Sequence, residues 1–540
     1  MADSLLDIRN LKVTAMARAP GEKPREITLA RDINASLERG KVLGLIGESG
    51  AGKSTIGLAP TGYSRGEVRL AAGQVWVNGR DILGLSPAGL RRLRGREVCY
   101  VAQSAAAAFN PAHRLMDQVI EATLFHKLAD RQEAEARAVA LFRKLGLPDP
   151  EHFGERYPHQ VSGGQLQRAM TAMALCSQPD LIIFDEPTTA LDVTTQIDVL
   201  GAIKDAIRDT GVGAIYITHD LAVVAQVADD IMVLRQGRMV EYGSCRQIIE
   251  QPREAYTRDL VSVRSIEHRP KPAEPPPLLS VQGITAAYTK AAAPVLEDIS
   301  VELYAGQTLA VVGESGSGKS TLARVITGLL PPKGGSIRFG DRALAPDYRQ
   351  RSKEELRQLQ MIYQMADVAM NPRHRIATII GRPLEFYFGL KGPAKRERIL
   401  ELLEEIELGA GYYDRYPGEL SGGQKQRVCI ARALAAEPKL IICDEVTSAL
   451  DPLVADGILK LLLRLQERER VSYLFITHDL ATVRAIADSI AVMYQGQRVR
   501  YGNRDHVLSP PFDDYTELLL SSVPQMRLGW LEEVVARRGG

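Results

Sequence analysis

Two acidic dipeptides, Asp185-Glu186 and Asp444-Glu445, each close a short apolar run, Leu181-Ile182-Ile183-Phe184 and Leu440-Ile441-Ile442-Cys443. Runs of that length without alternation predict strands buried on both faces. Adjacent carboxylates at such a strand end are costly unless a cation or a water uses them. Asp185 and Asp444 suit a Mg2+ shell; Glu186 and Glu445 suit a base that aligns an attacking water. The phosphate side of that chemistry lies in Gly47-Glu48-Ser49-Gly50-Ala51-Gly52-Lys53-Ser54-Thr55 and Gly313-Glu314-Ser315-Gly316-Ser317-Gly318-Lys319-Ser320-Thr321. Both read G-x-x-x-x-G-K-S behind an apolar run, Val42 to Ile46 and Leu309 to Val312. Glycines let backbone N–H groups face a phosphate, and the following helix adds its positive end. Lys53 and Lys319 bring charge to the β and γ phosphates, and Ser54 and Ser320 offer hydroxyls to Mg2+.

Further residues recur in the same order. Gln103 and Gln364 follow strand-like segments, and each is followed by Asn-Pro (Asn110-Pro111, Asn371-Pro372). One glutamine alone would be a surface residue; the recurrence points to a place near the metal and to a partner-facing role. Ser162-Gly163-Gly164-Gln165 and Ser421-Gly422-Gly423-Gln424 open apolar-periodic stretches. A serine N-cap followed by glycines is an anion site by the logic of the phosphate loop. Simple capping does not explain the glycines, which cost about 1 kcal/mol inside a helix. Ala190-Leu191-Asp192 and Ala449-Leu450-Asp451 come next; a lone Asp there would be a helix cap. Buried-strand patterns then end in Thr218-His219-Asp220 and Thr477-His478-Asp479, and the paired histidines favour γ-phosphate contact. Tyr288 could stack on adenine, whereas the matching first-half region, near Ala15 and Met16, has no aromatic.

The elements that must position these groups are written twice. The chain has 540 residues, and a period this long is a domain duplication rather than a solenoid. The lysines are spaced slightly wider than the later motifs, so the first copy carries a short insertion between lysine and Ser-Gly-Gly-Gln. Arg269 to Pro277 is Pro-rich and reads as a semi-rigid linker, spanning about 28 Å at ~3.1 Å per residue. The expected division is 1–268, linker 269–277, and 278–540, each half an α/β domain. Pro60, soon after Lys53, should stop or kink the first phosphate-loop helix. Each half ends alike, in Pro252-Arg253-Glu254-Ala255-Tyr256-Thr257 and Pro511-Phe512-Asp513-Asp514-Tyr515-Thr516, as a helical tail for its own domain or for a partner.

Composition excludes several classes. The formal net charge is +1, so no nucleic-acid footprint is expected. No run of 18 apolar residues predicts a membrane span. Met1-Ala2-Asp3-Ser4 has neither a basic nor an apolar leader region, so no secretory signal is expected. Cys99, Cys176, Cys245, Cys429 and Cys443 are scattered without C-x-x-C. That argues against disulfides, zinc and iron–sulfur clusters, and for a reducing cytoplasm.

The motif set resembles the ATP-binding-cassette ATPases, in two copies covering nearly the whole chain. Gly47–Thr55, Gln103, Ser162–Gln165, Asp185-Glu186, Asp192 and His219 match that family's motifs in order, as do Gly313–Thr321, Gln364, Ser421–Gln424, Asp444-Glu445, Asp451 and His478. The finer likeness is to peptide, nickel and opine importer ATPases. It rests on Gly-Glu-Ser-Gly in both loops, the Asn-Pro pairs, Tyr157-Pro158-His159-Gln160 and the Pro…Tyr-Thr tails. The sequence departs from the family at Val161, at Ser104–Ala108 and at Val446; none removes a catalytic group.

The resemblance implies two tandem phosphate-loop NTPase domains. Each would have a mainly parallel core sheet, an antiparallel β subdomain and a helical subdomain carrying the Ser-Gly-Gly-Gln signature. It implies ATP and Mg2+ as cofactors. Catalytic roles fall on Glu186, Glu445, His219 and His478; Mg2+ contact falls on Ser54, Gln103, Asp185, Ser320, Gln364 and Asp444. The phosphate-loop residues, Gln103, Gln364, both signatures, Asp192, Asp451 and Tyr288 would contact ATP. Expected partners are two integral membrane permease subunits and an extracytoplasmic solute-binding protein, with the chain peripheral at the cytoplasmic face of the inner membrane. The alternative is a soluble tandem ATPase acting on the ribosome, but such proteins have a long charged helical linker, unlike this one. A DNA-repair ATPase would need zinc cysteines within the domains.

Overall fold

The computed structural model describes residues 4–17, 25–64, 66–188, 191–262, 268–289, 292–448 and 450–539. Ala190, Ala449 and the leader reading at Met1 to Asp3 lie outside them. The chain forms two compact units, Met1–Ser262 with Pro524–Gly540, and Val263–Val523.

In the first unit a six-stranded sheet runs Arg238–Ser244, Asp230–Arg235, Val42–Gly47, Gly213–Ile217, Leu181–Asp185, Val98–Val101. All of its pairings are parallel except the edge pair Arg238–Ser244 with Asp230–Arg235. Every residue of Val42–Gly47, Leu181–Asp185 and Gly213–Ile217 is buried, as continuous apolar strands covered on both faces require. A four-stranded antiparallel sheet, order Arg25–Glu38, Ser4–Ala17, Val68–Val77, Arg80–Asp81, lies over it. Leu6, Ile8, Leu11 and Val13 of that sheet share a core with Leu43, Leu45, Ile183 and Ile217 of the parallel one. Helices Leu115–Phe125 and Arg131–Lys144 pack against Gly163–Cys176 as a helical layer.

The second unit repeats the plan. Its larger sheet runs Leu359–Ile362, Leu440–Asp444, Ser472–Ile476, Thr308–Val312, Ser489–Tyr494, Gln497–Asn503, with only the last pair antiparallel. The smaller one runs Leu296–Leu303, Leu279–Ala286, Gly334–Phe339, Arg342–Ala343. One core joins the two sheets through Val281, Ile299, Val311 and Ile442, and another joins the larger sheet to helices Ile376–Phe388, Gly392–Glu405 and Gly422–Leu434.

Pro60 acts as expected. The first phosphate-loop helix is Lys53–Leu58 and gives way to a 3-10 turn, Ala59–Thr61, with the proline at its start; its counterpart continues over Lys319–Ile326.

The compact units differ from the division expected at 268, 277 and 540. Residues 524–540 group with the first unit. Trp530, Leu531 and Val534 are buried there, Lys204 pairs with Glu532 at 2.6 Å, and the Gln226 amide donates to the carbonyls of Gln525 (2.8 Å) and Arg527 (3.2 Å). The Pro-rich stretch is not free along its length either. His268 Nε2 lies 2.9 Å from Asp488 Oδ1, the Lys271 amide donates to the same oxygen at 2.7 Å, and Lys271 Nζ donates to Gln466 Oε1 at 2.6 Å. Asp488 is buried, so those bonds satisfy a carboxylate that would otherwise be costly.

Candidate active sites

Each phosphate loop leaves the carboxyl end of a central parallel strand, where open α/β sheets place ligands. Gly50 and Gly52 have φ of 82° and 91°, and Gly316 and Gly318 of 84° and 99°; residues with side chains seldom adopt these values. The following helices begin at Gly52 and Gly318 without a side-chain cap, so their first amides stand as donors toward the loop. Lys53 Nζ donates to the carbonyls of Gly47 (2.7 Å) and Glu48 (3.0 Å), and Lys319 Nζ to those of Gly313 (2.8 Å) and Glu314 (2.7 Å). Both ammonium groups are buried, which suits a partner of high negative charge.

The carboxylates arrive from strands one place further across each sheet, Leu181–Asp185 beyond Gly213–Ile217 and Leu440–Asp444 beyond Ser472–Ile476. Ser54 Oγ donates to Asp185 Oδ1 at 2.8 Å and Ser320 Oγ to Asp444 Oδ1 at 2.9 Å, joining the two groups assigned to Mg2+ in each copy. A hydroxyl and a carboxylate are the hard oxygen donors that ion prefers. Gln103 Nε2 donates to Glu186 Oε2 at 2.9 Å, and His219 Nδ1 lies 3.3 Å from Glu186 Oε1. In the second copy Gln364 Nε2 donates to Glu445 Oε2 at 2.6 Å, and His478 Nδ1 lies 3.4 Å from Glu445 Oε1. Both glutamates take a left-handed backbone, φ 49° and 50°. Their amides remain in the sheet ladder, donating to Ile217 and Ile476. That turn lifts each carboxylate off its strand toward the glutamine and the histidine.

Electrostatics follow the geometry. Burial pushes the Asp444 carboxyl above its ordinary range, against the Ser320 bond. The His478 hydrogen bond holds Glu445 below its ordinary value despite burial, and the same bond raises His478. At His219 burial is the largest single influence and opposes protonation, but the hydrogen bond and charge of Glu186 together with the charge of Asp220 outweigh it and the pKa rises. A raised histidine contributes stability below its unfolded value of about 6.5, and that contribution fades as pH climbs through the folded value. Glu445→Gln should therefore lower the His478 midpoint in an NMR titration. It should also cost more stability below about pH 6.5 than at alkaline pH. An unmoved midpoint would show that the pair is not coupled.

The other expected contacts are placed differently. Ser162–Gln165 and Ser421–Gln424 close capping boxes on their own helices. Their glycines do separate work. A Cβ on Gly163 would meet nothing within 4 Å, whereas one on Gly164 would sit 2.3 Å from Thr195 Cγ2, and one on Gly423 2.3 Å from Val454 Cγ1. The second glycine thus permits close helix packing, a reason the sequence did not disclose. Asp192 and Asp451 cap helices Val193–Thr210 and Pro452–Glu469. Burial would raise Asp192, but bonds from Thr195 and Thr194 hold it low. Tyr288 lies beyond its strand, about half exposed, with its hydroxyl 3.0 Å from Thr321 Oγ1.

One participant was missed. Tyr100 donates its hydroxyl to Asp185 Oδ2 at 2.8 Å, while the matching second-half residue is Met361. The mismatch between the copies was the available signal.

A family model described as "ABC transporter" matches residues 30–189 and 296–448, and one described as "Oligopeptide/dipeptide transporter, C-terminal region" matches 499–539. The chain is similar to the glutathione import ATP-binding protein GsiA of Escherichia coli O6:H1 (strain CFT073), 36% identical across 97% of this chain and 90% of that one. To the protein of the same name from strain K12 it is 37% identical over the same shares. Among solved structures, cbiO1 of Clostridium perfringens, part of the ABC transporter complex cbiONQ, is 29% identical with a TM-score of 0.39, covering 43% of this chain and 90% of that one. With the family model on both copies and relatives matched along nearly its full length, the chain belongs to the ABC transporter family, as a tandem ATPase whose hydrolysis of ATP is coupled to transport.

Proposed function

We propose that this chain is the energy-coupling subunit of an importer for peptides or a glutathione-like solute. The observation that carries this most is the likeness to import ATP-binding proteins along 97% of the chain. The match of 499–539 to a peptide-transporter tail adds to it. No helix among the described residues is long and apolar enough to cross a membrane. The reading therefore needs separate permease subunits, a solute-binding protein outside the membrane, and a peripheral place for this chain on the cytoplasmic face of the inner membrane.

In this reading two ATP molecules bind between the domains. Lys53, Gln103, Asp185, Glu186 and His219 face Ser421–Gln424; Lys319, Gln364, Asp444, Glu445 and His478 face Ser162–Gln165. The lysines and loop amides hold phosphates, while Gly163 and Gly422 expose helix-start amides to the γ-phosphate of the opposite site. Bound with ATP, Mg2+ would offset charge on the β and γ phosphates, with Ser54, Gln103 and Asp185, or Ser320, Gln364 and Asp444, as its holders. Glu186 and Glu445 accept a proton from the attacking water, oriented by Gln103 and His219 or by Gln364 and His478. Closure on ATP and reopening after hydrolysis would drive the permease. Reversing a 1:99 balance needs about 5.5 kcal/mol of preference for the closed state. The glutamine segments, with Asn110 and Asn371, transmit that motion.

Tagging the chain, solubilising native membranes gently and identifying what co-purifies tests this. Two integral membrane proteins are expected. Ribosomal proteins recovered instead would replace the importer reading and leave only the ATPase chemistry.

A further inference from the structure

We infer that the tail of the second unit positions its phosphate loop through Tyr515, so that nucleotide affinity at Lys319 depends on a hydroxyl 201 residues from the loop backbone it holds. The inference rests on residues 313–321 being the nucleotide loop.

The tail is built to hold that hydroxyl still. Helix Asp514–Ser521 is capped by Asp513, which accepts from the Thr516 amide at 2.8 Å and from its hydroxyl at 2.7 Å. Arg500 pins the approach to the helix by donating to the carbonyls of His506 (3.0 Å), Ser509 (3.0 Å) and Pro511 (2.6 Å). The Tyr515 ring is buried against Tyr494, centroids 4.2 Å apart, and Tyr494 ends the strand beside Thr308–Val312. The Tyr515 oxygen then accepts the Glu314 amide at 2.9 Å.

That bond falls at a sensitive place. Gly313 already lies so close to the neighbouring strand that an added Cβ would be 2.1 Å from the Met493 carbonyl oxygen. The loop entrance is therefore fixed on one side by the sheet and on the other by Tyr515. A cradle of amides works only when its donors are pre-aimed, and small displacements cost binding. The first unit joins the same two elements by other chemistry. Arg235 lies over the Tyr256 ring, 4.7 Å from its centroid, with its Nε 3.7 Å from the Glu48 carboxylate. Two tails with a shared Pro…Tyr-Thr pattern thus both bear on the second residue of their own loop, the second directly at the backbone amide and the first through Arg235 at the side chain.

The test is titration of a fluorescent ADP analogue into the full chain carrying Lys53→Ala, so that the second loop dominates binding. Adding Tyr515→Phe should weaken binding about three- to tenfold, the loss expected for one hydrogen bond, with the melting temperature held. By linkage, saturating nucleotide should slow amide exchange across 515–520 in the unsubstituted tail. An unchanged dissociation constant overturns the proposal. So does a weakening matched by a fall in melting temperature, which would make the tail merely structural. Adding Lys319→Ala instead should abolish binding. If it does while Tyr515→Phe has no effect, only the tail's role fails; if binding survives Lys319→Ala, the loop reading fails and takes the tail with it.

Discussion

Glu186→Gln and Glu445→Gln should each retain ATP binding while single-turnover hydrolysis at the altered site falls about 10³-fold, or about 4 kcal/mol of lost barrier-lowering. Glutamine keeps the size and hydrogen-bonding reach of glutamate, so the contacts to Gln103 and His219, or to Gln364 and His478, can persist. What disappears is the capacity to take a proton from water. The left-handed backbone at both positions supports this reading: structures retain such a conformation where the surroundings over-determine it, and these sites cluster at functional centres. Single-turnover rates unchanged in both variants would remove the base assignment. A loss in only one would show unequal sites. A structural basis for inequality exists, because Tyr100 occupies one oxygen of Asp185 and Met361 cannot do the same for Asp444.

Gly313→Ala should be far more damaging than Gly316→Ala, although both lie in one loop. At Gly313, φ is 148° and a new Cβ would meet the Met493 carbonyl oxygen at 2.1 Å and Ser317 Oγ at 2.8 Å. The carbonyl belongs to a strand paired with Thr308–Val312, so it cannot retreat without disturbing the sheet. Backbone strain of about 1–3 kcal/mol and overpacking of about 1–3 kcal/mol together suggest about 4 kcal/mol. That corresponds to a fall of about 10 °C in the melting of a domain this size. At Gly316, φ is 84° but nothing lies within 4 Å of the added carbon, so only the left-handed penalty of about 1–2 kcal/mol applies. Thermal unfolding of the two variants decides it: equal shifts would mean that the close approach at Gly313 is not what requires glycine.

Most of the candidate site was legible from the chain because its parts are local. G-x-x-x-x-G-K-S fixes a strand, a turn and a helix start within a few residues. An apolar run ending in Asp-Glu states both burial and the place where burial stops. Duplication made single residues readable: Gln103 or His219 alone says little, but a partner at matching spacing turns a surface residue into part of a site. The limits were equally physical. Ser162 and Ser421 looked like anion ligands and are also complete helix caps, and periodicity cannot separate those roles. Gly164 and Gly423 looked available to a ligand, whereas close packing on Thr195 and Val454 requires them.

By itself, the sequence determined two copies of a phosphate-binding α/β domain, the identity of the acidic, glutamine and histidine groups in each, and the order in which strands deliver them. These depend on spacing within one turn, strand or helix start, where backbone geometry leaves few choices. Only the tertiary structure decided which distant groups meet. It placed Tyr515 on the Glu314 amide, Tyr100 on Asp185, residues 268 and 271 on Asp488, and the buried face of Trp530–Gly539 on the first unit. Each of these joins residues far apart along the chain. Such pairings are selected by packing and by the cost of leaving buried polar groups unpaired, neither of which is written in local spacing.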